Sequence, residues 1–484
     1  MEKSISKNYL YYLSMQLSNI LIPLITIPYV SRILLPEGMG IFAFASSIVR
    51  YFFLLAMLGI ALYGNRAVAY TRHDEYAVSK TFWEIFFIKL ITSSFSITLY
   101  LLLIQRADFA NNIVFLFFTL TLFTAAIDIS WLFTGFEDFK RIAFRTILTR
   151  ILSLILILCL IKKREHVGLY VLINTGSNFL GQAILWSYVT RYVKFIKPTL
   201  KGILYHLKGT FQLFVPQIAT EIYTALDRTM LGLLSESFQV GIYAMPQRLV
   251  RVSLTIATSF NVVMRPRMSN LVATHNFETF KAYIKMSFQF ISYFSFLIAF
   301  GLYAVSPEFI PLFFGKEFIH AITVAKVISP IIILFSWSSL LGNQVLIPMG
   351  KDSWYTLSIG TGAIINFLFN LLLIPVYGAL GAAIASVIAE ACVMFSQLLL
   401  VNRIFKVRNF FGEIWKNLLG GGIMAITIRL FALLPIGIFF KVLVELIVGA
   451  FTYVFVETVL KTEINILMIR KIKSTLRAYL KRKS

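Results

Sequence analysis

Cysteine and charge are what this chain has least of. Two cysteines occur among 484 residues, and charged residues make up 14%. Cys159 and Cys392 both lie inside apolar runs, so neither a disulfide framework nor a thiolate metal site is indicated. A soluble globular chain carries roughly 25% charge. This one cannot cover its own surface in water, which excludes a disordered chain, a secreted scaffold and a cytosolic enzyme. Histidine is sparse as well: His73, His166, His206, His275 and His320 fall in loops or at the ends of apolar runs, and none is spaced as HExxH. There is no Walker A sequence, no glycine-rich dinucleotide turn after a strand, and no serine nucleophile elbow. The external loops are short, and the longest, 306–321, could not hold a catalytic domain. The expectation is a protein that is not an enzyme and takes no cofactor or metal.

What the chain does have is apolar length. Hydrophobic residues reach 58%, phenylalanine alone counts 46, and the mean hydropathy is +0.80. A hydrocarbon core of about 30 Å needs roughly 20 apolar residues at 1.5 Å each. Fourteen runs meet this, near 8–31, 40–63, 82–104, 113–134, 145–161, 167–190, 211–234, 240–263, 284–305, 322–347, 354–374, 379–401, 417–438 and 441–460. The fold class expected is therefore an all-α integral membrane protein of about 14 transmembrane helices. The net charge of +23 would suit nucleic acid only on a soluble basic face, which is absent. Instead the basic residues alternate by loop. Those following even-numbered runs carry most of them, as in Arg191, Lys194, Lys197, Lys201 and Lys208. The opposite loops hold only Arg32, Arg106, Lys162, Lys163, Arg164, Lys316 and Lys441. That asymmetry places both termini in the cytoplasm.

An internal repeat sets the expected architecture. Gly40–Arg50 reads GIFAFASSIVR and Gly241–Arg251 reads GIYAMPQRLVR, and upstream Ser31–Leu34 parallels Asp227–Met230. The offset spans six crossings, so both copies have the same topology and relate two pseudo-symmetric six-helix lobes. The expected division is 1–209 for the first lobe, 210–405 for the second, and 406–484 for two appended spans with a basic cytoplasmic tail. A transporter with a central cavity is the natural geometry for two such lobes.

Charge inside a span marks a functional candidate, because facing lipid costs several kcal/mol. Arg50 and Arg251 each lie ten residues into runs 40–63 and 240–263, about 15 Å deep. Arg248 shares a face with Arg251. A guanidinium fork binds two oxygens of a phosphate at once. The alternative is that each arginine pairs with a buried carboxylate and braces the bundle. The first run of each lobe carries a polar stripe: Tyr12, Gln16, Asn19, Pro23 and Thr26 in one, and Gln217, Thr220, Glu221, Thr224, Asp227 and Arg228 in the other. Both stripes are expected to face inward, with Pro23, Pro28 and Pro216 bending the helices. Asp128 and Glu390 are candidates for coupling to H⁺ or Na⁺, although each could equally balance a nearby cation. Glu84 and Lys89 read as neutralising neighbours, and Arg429 as snorkelling or held by a partner in the bundle. From Lys461 to Ser484, apolar residues fall on one helical face with basic residues opposite, the pattern of a surface helix on an anionic leaflet.

Three segments carry a resemblance. NILIPLITIPYVSRILLPEGMGIFAFA at 19–45, LDRTMLGLLSESFQVGIYAMPQRLV at 226–250 and NFLFNLLLIPVYGALGAAIAS at 366–386 resemble the Wzx-type polysaccharide repeat-unit flippases. That family belongs to the multidrug/oligosaccharidyl-lipid/polysaccharide exporter superfamily. The resemblance implies transfer of undecaprenyl-diphosphate-linked oligosaccharide to the outer leaflet of a bacterial cytoplasmic membrane, by alternating access. It implies membrane lipids, a polysaccharide polymerase and glycosyltransferases as partners. In related flippases, arginines of spans two and eight line a cationic cavity, and here Arg50, Arg248 and Arg251 match them. An acidic–arginine pair found in span one of the peptidoglycan-precursor flippases has no counterpart, since span one offers only Gln16 and Asn19. The rival readings are a multidrug or other lipid-linked precursor exporter of the same superfamily, and a membrane-embedded polysaccharide polymerase or transferase.

Overall fold

The computed structural model describes the backbone of residues 5–107, 109 and 112–467, and the side chains at these positions except 5–6, 215–216, 219–223, 262 and 408–409. Among them there is no strand. Sixteen α-helices follow one another: α1 (Ile5–Met57), α2 (Ile60–Thr71), α3 (Glu75–Arg106), α4 (Ile113–Ile127), α5 (Ser130–Gly135), α6 (Phe139–Leu160), α7 (Val167–Trp186), α8 (Leu200–Leu234), α9 (Ser237–Ala273), α10 (Phe277–Phe314), α11 (Ala321–Ile328), α12 (Ile331–Leu340), α13 (Asp352–Tyr377), α14 (Ala379–Asn402), α15 (Ile414–Phe431) and α16 (Ile438–Val459). Each of the fourteen apolar runs falls on helix. Four are interrupted or fused: α1 holds the first run and most of the second, α2 completes the second, α4 with α5 makes the fourth, and α11 with α12 and a π-helical turn at Leu341–Leu346 makes the tenth. By length and apolarity alone, nine helical stretches of the described chain are sufficient to cross a membrane.

The bend in the first two runs lies elsewhere than expected. Pro23 and Pro28 sit within continuous helix, whereas Leu35 leaves it at φ 59°, ψ 178°. Leu35 precedes Pro36, whose ring disfavours α geometry in the residue before it, and a proline is well placed to start the next helix. Span two therefore starts at residue 36. It is broken again at Leu58 and Gly59, both at positive φ. A Cβ on Gly59 would lie 2.6 Å from the Thr210 carbonyl oxygen of α8, so this turn requires glycine for both its φ and its close approach.

Contacts within the chain divide into two units, Met1–Gly241 and Ile242–Ser484. In the first, α1 packs on α3, α4, α6, α7 and α8, and α8 also packs on α2 and α3. Span seven, assigned by the sequence to a second lobe starting at 210, thus sits among the helices of the first unit. An aromatic cluster of Phe82, Phe86, Trp131 and Trp186 fills its core, with ring centroids 4.9–6.2 Å apart. In the second unit, α14 packs on α11, α12 and α13. Its buried alanines, Ala379, Ala382, Ala383, Ala385 and Ala389, allow the close approach by which membrane helices gain dispersion energy. The appended helices α15 and α16 both pack on α10. The amphipathic pattern of 461–484 lies, beyond Leu467, outside the described residues.

Candidate functional site

The repeat is visible as geometry at its own glycines, within the first unit. A Cβ on Gly40 would lie 1.7 Å from the Ser237 carbonyl oxygen, and one on Gly241 2.0 Å from the Pro36 carbonyl oxygen. Positions 36 and 40 of one copy meet the equivalent positions 237 and 241 of the other, so the starts of spans two and eight touch reciprocally. Only glycine permits a backbone approach this close.

From these starts, Arg50 and Arg251 each lie fourteen residues along their helices, about 21 Å rather than the 15 Å expected. The difference arises because span two begins at Pro36 and α9 at Ser237, ahead of the most apolar stretches. Arg50 is exposed, with its guanidinium 5.7 Å from the centroid of the Phe53 ring. Arg251 is exposed and Arg248 is half-buried.

Span seven comes alongside Arg50. Tyr51 Oη lies 3.0 Å from Thr229 Oγ1, and Thr229 Oγ1 donates to Ser47 Oγ at 2.9 Å. Asp227 is 5% exposed and Arg228 half-buried, and the charges of both act on Tyr51. Thr224 and Gln217 are half-buried, while the side chain of Glu221 lies outside the described residues. In span one, Gln16 is exposed and donates to the Tyr12 hydroxyl at 2.7 Å, and Asn19 is half-buried. In the second unit, α9 is braced against α14: the Tyr243 and Ser386 hydroxyls lie 3.0 Å apart and Gln247 donates to Tyr243 at 3.3 Å. Glu390, 6% exposed, follows Ser386 by one turn.

Two carboxylates have partners that the sequence did not suggest. Asp128 sits at the break between α4 and α5, where its carboxylate accepts from Ser130 N at 2.8 Å and lies 4.0 Å from Lys89 Nζ. Lys89 is fully buried and also donates to the Asp128 carbonyl, and Arg145 donates to Ser130 Oγ at 2.9 Å. Lys89 is therefore not the neighbour that neutralises Glu84. Glu84 instead accepts from Thr199 Oγ1 at 2.6 Å and lies 3.4 Å from His206 Nε2, while His206 Nδ1 lies 2.8 Å from Tyr63 Oη. This cluster clasps the segment joining spans six and seven onto α2 and α3. Burial pushes His206 below its ordinary value, with Glu84 opposing the shift and Lys80 adding to it. No signal in the sequence marks the clasp, because its two halves, Tyr63 with Glu84 and Thr199 with His206, are more than a hundred residues apart. Arg429 does have a bundle partner, Glu308 of α10 at 2.7 Å. Among the described residues, no group of three or more His, Cys, Asp or Glu is arranged to hold a metal ion.

Comparison with known proteins agrees with this architecture. Residues 5–272 match the model of the family described as "Polysaccharide biosynthesis protein". A putative O-antigen transporter of Escherichia coli K12 is 23% identical over 83% of this chain and 97% of its own length. The capsular polysaccharide biosynthesis protein CapF of Staphylococcus aureus is 24% identical over 82% and 100%. Among solved structures, the lipid II flippase MurJ in an inward closed conformation superposes with a TM-score of 0.74 at 16% identity, covering 93% of this chain and 98% of that one. An inward-facing MATE transporter of the MOP superfamily superposes with a TM-score of 0.62 at 14% identity, covering 80% and 95%. The family match spans more than half of a chain whose motifs carry the same resemblance; the protein belongs to the polysaccharide biosynthesis protein family.

Proposed function

We propose that this multi-pass membrane protein flips undecaprenyl-diphosphate-linked oligosaccharide repeat units from the inner to the outer leaflet of a bacterial cytoplasmic membrane, by alternating access. The observation that carries the reading is the exposure of Arg50 and Arg251, each fourteen residues along the helix of an equivalent span. A guanidinium turned to hydrocarbon there would cost several kcal/mol, so exposure at that depth favours a watered, phosphate-receiving environment. Arg248 adds a guanidinium fork on span eight and Arg228 one on span seven, and Gln16, Asn19, Gln217, Glu221, Thr224 and Asp227 supply the neutral and acidic groups that suit sugar hydroxyls.

The substrate's diphosphate carries roughly two negative charges, each worth about 2.3 kcal/mol per 100 mV. An interior-negative potential therefore drives the loaded step outward and the return of uncompensated arginine inward. The lobe division at 209 and 405 and cytoplasmic termini belong to this reading, as do a polymerase and glycosyltransferases as partners. Asp128 and Glu390 are the two carboxylates to test for ion coupling, and Asp128 faces Lys89. The deciding experiment replaces Arg50 or Arg251 by Ala and follows surface polysaccharide at matched expression. Losing a charge-assisted contact of about 1.5–3 kcal/mol lowers export by about tenfold or more. Full export in both variants would remove the anion-receiving role.

A further inference from the structure

The last span presents one buried polar stripe. Glu445, Gly449, Tyr453 and Glu457 recur every four residues of α16 and are all buried, which places them on one face, packed against α10 and α15. Most of the stripe is partnered. Tyr453 Oη donates to the Tyr293 carbonyl at 2.9 Å. The Asn417 amide, in the orientation that satisfies both groups, donates to the two Glu457 oxygens at 3.1 and 3.2 Å.

Glu445 is different. It is 0% exposed, and neither carboxylate oxygen has a hydrogen-bond partner among the described residues. The charges that face it are Glu308 from α10, Arg429 from α15 and Lys441 one turn back on its own helix. The first two are occupied with each other: Arg429 Nη1 lies 2.7 Å from Glu308 Oε2 and donates to the Ala304 carbonyl at 3.2 Å. One guanidinium thus serves an interface that holds two carboxyl groups.

A sealed carboxylate with no donor gives up its hydration and receives nothing in return, whereas the neutral acid avoids that loss. With Glu445 neutral, Arg429 has a single anionic partner across the interface, which is the pairing observed. Once Glu445 ionises, two carboxylates compete for one cation, and the repulsion between them is relieved by moving Arg429 toward Glu445. That movement releases α15 from its tie to α10. We propose that Glu445 is a proton-binding site whose occupancy decides whether Arg429 ties α15 to α10 through Glu308 or to α16 through Glu445. The exchange is plain acid–base chemistry: the proton passes between the carboxyl oxygen and water, and no other bond forms or breaks. Arg429, 44% exposed at its side chain, gives the site a hydrated edge. The donor set is one acid without companion ligands, which suits a proton rather than a metal cation.

The site involves none of the arginines assigned to the substrate, so its test is independent of what the protein carries. The full-length protein in lipid nanodiscs is titrated with pH while infrared difference spectra follow the carbonyl stretch of protonated carboxylic acids. The wild type is expected to show a titrating band that Glu445→Gln lacks. Glu308→Gln leaves Glu445 as the sole partner of Arg429 and is expected to weaken proton binding by about tenfold or more, moving the midpoint down by at least about one pH unit. Superimposable wild-type and Glu445→Gln spectra, or an unmoved midpoint in Glu308→Gln, would overturn the proposal. Should Glu445→Gln not fold, the Glu308→Gln midpoint alone decides.

Discussion

Two acids in apolar runs, the half-buried Asp128 in the first unit and the fully buried Glu445 in the second, look alike in the sequence and differ in the fold. Asp128 is met by Lys89 and by the Ser130 amide, at a helix break that the same contacts hold in place. Among the described residues no hydrogen-bond partner meets Glu445, and Arg429, which faces it, is already engaged by Glu308. The first arrangement compensates a permanent charge and ties α3 to the α4–α5 break. The second leaves a group whose charge is a variable. A buried acid in a membrane helix is therefore read by its partners, and only an acid without them is a natural place for a proton to come and go.

The comparison breaks most visibly at Lys89. Lys89→Ala leaves the half-buried Asp128 carboxylate with the Ser130 amide but without its ion-pair partner, and breaking a fully buried pair costs about 3–5 kcal/mol, which bounds the loss from above. Thermal unfolding in detergent should show a large loss for Lys89→Ala, and recovery of much of it when Asp128→Asn is added. Glu445→Gln, by contrast, should unfold at the wild-type temperature or above it, because it replaces an acid that has no donor by a neutral group of the same shape. Equal losses for Lys89→Ala and Glu445→Gln would dissolve the distinction between the two sites.

Much of the fold was legible because apolar length is a strong signal and every apolar run is helical. The bends were less so. Pro23 and Pro28 attract attention in a helix, yet the chain turns at Leu35, where the residue before a proline, and not the proline, gives up α geometry. Among the site residues, the position of Arg50 and Arg251 in long apolar helices was readable from the repeat. Partner choice was not. Glu84 and Lys89 are five residues apart and turn to different neighbours, Glu84 to Thr199 and His206, Lys89 to Asp128. Arg429 finds Glu308 from a separation of 121 residues. Such pairs follow from tertiary packing and leave no local pattern. The fourfold spacing of Glu445, Gly449, Tyr453 and Glu457 is the exception, since an i, i+4 polar row in an apolar span marks an inward face whatever it meets.

A smaller effect sharpens the same point for neutral groups. The Tyr243–Ser386 bond braces the Arg251 helix, and interhelical hydrogen bonds in membranes are worth about 0.6 kcal/mol and at most about 1.7. Tyr243→Phe should therefore lower the unfolding temperature only slightly, far less than Lys89→Ala. A loss as large as that of Lys89→Ala would mean that polar contacts in the second unit act as the charged ones do in the first.

The smallest expected effect belongs to His206, which is partnered like Asp128 and whose pKa burial lowers from the ordinary histidine value. As the neutral Nε2–H tautomer it receives the Tyr63 hydroxyl proton at Nδ1 and donates to Glu84, so every polar atom of the ring is used. Burial holds its folded value below the ordinary one, against the opposing pull of Glu84. The unfolded state then takes up a proton first as pH falls. The clasp's contribution is full above about pH 6.5 and declines as pH drops through the interval below it. Hydrogen exchange in the segment 192–208 should accordingly rise between about pH 7.5 and about pH 5.5, beyond the intrinsic change, in the wild type. In His206→Gln that extra rise should disappear. Protection that increases on acidification would mean that Glu84 outweighs burial, and that the clasp tightens as a charged pair instead of loosening as a neutral one.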